Sequence, residues 1–152
     1  MRRFFLLALL TAFFLAHAAS GPYDETADAK VDIAAVLAEA SQSKLPVLLV
    51  FGANWCGDCK MLDAAFKTGV AAPLIAKNFH VVKVNVGKFD RNVEIAEFYG
   101  VPLKKGIPAV VVISAQGKPL YATRGGELAD ARAMGDTGVY DFFAKVVGSQ
   151  VR

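Results

Sequence analysis

The chain has 152 residues, 55% of them hydrophobic, which supplies one compact core and leaves too little chain for two ordinary domains. Lysine and arginine total 17 against 14 acidic residues, a net charge of +3, and no Lys/Arg-rich run is present, so nucleic acid is a poor partner. Only two cysteines occur, too few for a disulfide framework.

Arg2 and Arg3 precede an apolar run over residues 4–16, followed by Ala16-His17-Ala18-Ala19. A basic start, a short apolar stretch and an Ala-x-Ala sequence form a secretory signal pattern. Residues 1–18 are read as a signal peptide cut after Ala18, with a cut after Ser20 as second choice and the general secretory route preferred to twin-arginine export. The alternative is a retained membrane anchor, disfavoured because the run is shorter than the roughly 20 residues that span a bilayer. The mature chain then carries 15 basic and 14 acidic residues and is expected in the periplasm or otherwise outside the cytoplasm.

Residues 19–30 read as a polar lead and residues 31–152 as one domain. Val31, Ile33, Ala34, Leu37, Ala38 and Ala40 recur at helical spacing up to Ser41. Pro46 then opens a continuous β-branched run over 47–51, the pattern of a strand covered on both faces. From Gly57 the pattern turns helical, with Met61, Leu62, Ala65 and Phe66 on one stripe and Gly69 as the stop. Pro73 suits the first turn of a short helix over 73–78. A strand over 80–86, a helix over 92–99 and an irregular loop over 101–106 follow. The strand 109–113, a turn at Gln116-Gly117-Lys118 and an antiparallel partner over 120–123 make a hairpin. A polar loop over 125–135 leads to a last helix carrying Val139, Phe142, Phe143, Val146 and Val147. Alternating strands and helices imply an α/β fold.

The chemistry lies in Trp55-Cys56-Gly57-Asp58-Cys59-Lys60. A strand that runs through Cys-x-x-Cys into a helix sets the first sulfur at the helix N-terminus, where free N–H groups and the dipole favour an anion. Cys56 is therefore the expected nucleophile, its pKa below the free value of about 8.5 and toward the roughly 3.5–7.5 of such environments. Cys59, one turn on and more buried, is the expected resolving thiol. A zinc site needs two further ligands, and the mature chain offers no third cysteine and only His80, so no metal is assigned.

Residues 51–60, ending in that motif, resemble the active-site segment of the thioredoxin family, and Gly106-Ile107-Pro108-Ala109 is similar to its cis-proline segment. The order of elements agrees from Val31 to Val147. The resemblance implies a mixed four- or five-stranded sheet flanked by helices, with Pro108 cis opposite Cys56 and the backbone of Ile107 pairing with substrate. It also implies a monomeric thiol:disulfide oxidoreductase acting on protein thiols and disulfides, with no cofactor beyond Cys56 and Cys59. The short helix after the active helix, with Phe66, Gly69 and Pro73, looks most like the exported C-terminal thioredoxin-like domain of the transmembrane protein DsbD and its stand-alone relatives. That likeness would imply a transmembrane thiol electron donor.

Two departures bear on direction. Most thioredoxins carry a buried acid six residues before the first cysteine, where this chain has Val50. Lys83 falls where the family often has that acid's partner, and is either a remnant or an exposed strand residue. Asp58 replaces the common proline: its charge opposes the Cys56 thiolate yet suits a helix N-terminus. A less stabilised thiolate makes a weaker oxidant, so the reading leans toward a reductant. Lys60 either offsets Asp58 or is a solvated first-turn lysine. Trp55 either covers the pair and shapes the substrate surface or simply packs. Residues 102–105 either border the substrate groove or connect elements. The rivals are an oxidase or isomerase on the same fold, and a copper-handling module that would use the thiols as soft ligands but lacks a third one.

Overall fold

The computed structural model describes residues 21–150, and the segment read as a signal peptide lies outside the described residues. Asp28 opens the first helix: its backbone is extended and its carboxylate accepts the N–H groups of Lys30 and Val31, which a helix start otherwise leaves unpaired. Helix α1 spans Ala29–Ser43 and stops where Lys44 takes a left-handed φ of 65°. The helix thus begins inside the expected polar lead, because the cap is Asp28 and Ala29 is already buried.

Strand β1, Val47–Gly52, is buried along its whole length. It pairs in parallel with β2, His80–Asn85, and antiparallel with β3, Ala109–Ile113, while β4, Pro119–Ala122, pairs antiparallel with β3. The order β2-β1-β3-β4 makes a mixed four-stranded sheet. Side chains alternate across such a sheet. Leu49 and Phe51 therefore join Val84 and Val111 under α1 and α4 (Val93–Phe98). Leu48 and Val50 join Leu62 and Phe143 under α2 (Gly57–Lys67), α3 (Ala72–Asn78) and α5 (Ala131–Gln150). A central strand covered by helices on both sides is why 47–51 reads as an unbroken apolar run.

Other boundaries differ as well. The loop 101–106 contains a single 3-10 turn, Leu103–Lys105, pinned by buried Leu103. The strand expected to reach Val86 ends at Asn85, whose side chain accepts the Gly87 N–H and starts a turn. The polar loop expected up to Gly135 ends sooner: α5 already starts at Ala131 and is broken at Gly135 (φ 65°, ψ −179°) before it continues. Buried Ala131 and half-buried Met134 anchor that first turn, which is too short to display a helical period.

Candidate active site around the cysteine pair

Strand β1 delivers the chain to Cys56, which caps the N-terminus of α2 with extended backbone (φ −82°, ψ 114°). Its Sγ accepts the Cys59 N–H at 3.1 Å, the geometry in which a helix start stabilises sulfur anion. Cys56 and Cys59 are joined in a disulfide. Cys59 is fully buried and Cys56 is 5% exposed, so the outer sulfur is the one a partner can reach. The Ile107–Pro108 peptide is cis, and the Ile107 carbonyl oxygen lies 3.6 Å from Cys56 Sγ. Gly106 permits this approach: its φ is 119°, and a Cβ there would run into Ala129.

Trp55 is 56% exposed. Its Nε1 donates to the Gly87 carbonyl at 2.7 Å, and its ring meets Phe89 edge-on at 5.9 Å. Indole and phenyl together present apolar surface on the β2–α4 loop. Phe89, Val93, Leu103, Lys104 and Gly106 line an open groove.

Asp58, in the first turn of α2, is held by Arg132 rather than by Lys60. The Arg132 guanidinium donates through Nε at 3.2 Å and Nη2 at 3.1 Å, and the Arg132 backbone N–H adds a bond of 3.0 Å. These bonds hold the Asp58 carboxyl below its ordinary value. Lys60 is exposed and has no ion pair among the described residues, because α5 brings a forked donor to Asp58 with better geometry than a neighbouring ammonium. The guanidinium also lies 3.2 Å from where a Cβ of Gly57 would stand. Arg132 sits in the first turn of α5, within residues 125–135 whose sequence has the polar character of a loop, and no periodic signal marks it.

Beneath the disulfide lies a second polar group. Asp63, on α2 one turn after Cys59, is 8% exposed and accepts Lys67 at 2.8 Å and Lys83 at 3.0 Å as ion pairs. Burial pushes its carboxyl up, but the two ammonium groups outweigh that and hold it below the usual range. Burial pulls the Lys83 ammonium down, and Asp63 offsets part of the effect. Lys83 is thus an ion-pair residue and not an exposed one. Its strand neighbour is Val50, so an acid reaches the lysine from the helix where the strand supplies none. The Cys59–Asp63 spacing, i and i+4, was the available signal for Asp63.

The polar lead also belongs here. Asn54 accepts the Tyr23 N–H at 3.0 Å and donates to the Tyr23 carbonyl at 2.8 Å, clamping the lead to the active loop. Asn54 and Tyr23 carried no assignment from sequence. Among the described residues no cluster of three or more His, Cys, Asp or Glu is arranged to hold a metal ion. His80 Nε2 sits 2.8 Å from Ser43 Oγ.

Comparison with known proteins places these features. A crystal structure of a disulphide isomerase from Xylella fastidiosa Temecula1 is 53% identical and superposes with a TM-score of 0.80, covering 85% of this chain and 98% of that one. The reduced DsbD C-terminal domain of Neisseria meningitidis superposes at a TM-score of 0.51 with 20% identity, over 78% of this chain and 96% of that one, a likeness of fold alone. A thioredoxin of Rickettsia felis is 36% identical over 74 residues, 49% of this chain and 63% of that protein, so the match spans less than two thirds of the relative. A thioredoxin-like family model matches residues 28–115, more than half of the sequence, and the chain belongs to the thioredoxin-like family.

Proposed function

We propose that the chain is an exported thiol:disulfide oxidoreductase that reduces or exchanges protein disulfides through Cys56 and Cys59. The observation that carries this is the Cys56 sulfur: it caps α2, is bonded to Cys59, and stands 3.6 Å from the carbonyl before a cis proline. As a thiolate, Cys56 attacks one sulfur of a substrate disulfide. A Cys56–substrate bond forms, the substrate S–S bond breaks, and the expelled thiolate takes a proton from water. Cys59 then attacks Cys56 Sγ, closing the Cys56–Cys59 bond and releasing the second substrate thiol. Two electrons pass to the substrate per cycle, and a dithiol donor restores the pair; a transmembrane thiol protein is the proposed donor class. The Ile107 backbone and Pro108 hold an extended substrate segment, with Trp55 and the 101–106 loop at its border.

The signal pattern over residues 1–18 supports export, and the N-terminal mass of the protein recovered from the periplasm tests it. Cys56→Ser is expected to abolish exchange and Cys59→Ser to accumulate mixed disulfides; an active Cys56→Ser protein overturns the proposal. A second reading, isomerase or oxidase, is favoured by the 53% identity to a chain named a disulphide isomerase. Rescue of a scrambled disulfide substrate identifies an isomerase. A potential near about −120 mV marks an oxidant and one near about −270 mV a reductant.

A further inference from the structure

Tyr23 is 2% exposed, yet its hydroxyl has no hydrogen-bond partner among the described residues. A buried phenol left unpaired is costly, so a native chain that keeps one calls for a reason. The surroundings supply it. Gly52, at the end of β1, leaves a gap that two side chains fill from different directions: a Cβ on Gly52 would collide with Tyr23 Oη and would lie 2.9 Å from Cys59 Sγ. The phenol and the inner sulfur therefore converge on the same small space. In the disulfide that sulfur is a poor acceptor. After reduction it can become a thiolate, and an ionised sulfur accepts strongly.

We propose that Tyr23 is a positioning residue for Cys59: its hydroxyl is unpaired in the oxidised protein and donates to the Cys59 sulfur once the disulfide opens. The inference rests on the exchange chemistry proposed above and adds a residue from the N-terminal lead to it. Three features hold the phenol for this task. Asn54 fixes its backbone on both sides, at 3.0 and 2.8 Å. Lys83 Nζ lies over its ring, 5.5 Å from the centroid. Asp63, ion-paired to Lys83 at 3.0 Å, keeps negative charge nearby. Burial first, and then the Asp63 charge, drive the phenol far above its ordinary pKa, so the hydroxyl keeps its proton and stays available as a donor.

In the resolving step the Cys59 S–H proton leaves, the Cys59–Cys56 bond forms, the Cys56–substrate bond breaks, and the departing substrate sulfur carries the proton away. Tyr23 stabilises the Cys59 sulfur as negative charge develops on it and changes no covalent bond of its own. Because the hydroxyl is unpaired only in the oxidised form, it favours the reduced one.

The test is the dithiol–disulfide equilibrium of the full mature chain with glutathione, for wild type and Tyr23→Phe. Phenylalanine keeps the ring and removes only the hydroxyl. The expected result is an equilibrium shifted about tenfold toward the disulfide, about 30 mV more negative, with several-fold slower attack of Cys59 on a preformed Cys56–glutathione disulfide. In the wild-type chain, the tyrosine Raman doublet is expected to change on reduction, a readout that needs no variant. An unchanged equilibrium and resolving rate in Tyr23→Phe, or a doublet indifferent to reduction, overturns the inference. The glutathione equilibrium is defined whether or not the protein reduces protein disulfides, so failure of this inference and failure of the proposed function are separate results.

Discussion

One helix, α2, carries two carboxylates with opposite surroundings. Asp58 stands at its N-terminus, where free N–H groups, the dipole and a forked guanidinium all welcome an anion. Asp63 stands inside the fold, where burial opposes ionisation and only the Lys67 and Lys83 ammonium groups reverse it. Both carboxyls end below their ordinary values, for different reasons. At Asp58 the Arg132 hydrogen bonds favour the charge at a helix end where burial opposes it only weakly. At Asp63 the charge exists because of its partners, and each member of that pair depends on the other.

The largest effect expected from this contrast is that of Asp63→Leu, which leaves the Lys83 ammonium largely buried without its counter-charge. A loss of about 3 kcal/mol in urea unfolding of the oxidised protein is expected, at the low end for breaking a buried pair because Lys67 reaches Asp63 from solvent. A loss below about 1 kcal/mol would put Asp63 in the same class as a surface ion pair. The acid limb of stability should change with it. The folded pKa of Asp63 lies below the unfolded value of about 3.9, so its contribution is complete above that pH and is lost as pH falls through the folded value. In Asp63→Asn that part of the acid loss should be absent.

Lys83→Met should cost less, about 1 kcal/mol, because a buried ammonium is replaced by an apolar side chain and Asp63 keeps Lys67. A loss equal to that of Asp63→Leu would erase the asymmetry. At the outer carboxylate, Arg132→Ala should change stability by less than about 1 kcal/mol. It should, however, expose Cys56 to the uncompensated charge of Asp58 and slow alkylation of the reduced protein about threefold at neutral pH. Unaltered alkylation would show that Asp58 does not act on the Cys56 sulfur. The smallest effect belongs to Lys60→Ala: stability within about 0.5 kcal/mol of wild type and an unchanged alkylation rate.

The same contrast separates what was legible in the sequence from what was not. The frame of the site could be read because strand β1, Cys-x-x-Cys and helix α2 are contiguous, and a buried strand announces itself by an unbroken apolar run. The alternation of elements gave the α/β class, and the resemblance to the thioredoxin family implied a mixed sheet of four or five strands, of which the structure has four. Asp58 was visible, but its partner was not: Arg132 lies 74 residues away in a single helical turn broken by Gly135. Val50 made the interior look devoid of acid, since a helix residue that reaches a strand lysine leaves no mark on the strand. Asn54 and Tyr23 are 31 residues apart and ordinary in type, and only their docking makes the polar lead part of the site.

Full burial of β1 has a price outside the folded state. Val47–Gly52 is six residues without charge, five of them large and apolar, a composition that favours intermolecular cross-strand stacking when exposed. Until β2 and β3 pair with it, this segment is prone to self-association. Pro46 precedes it directly and Lys44 lies two residues further back; one lacks a backbone donor and the other adds charge, the residue types that oppose self-association beside a hydrophobic strand. Replacing Pro46 with valine is therefore expected to leave the native strand intact while increasing aggregate yield during refolding, as followed by light scattering.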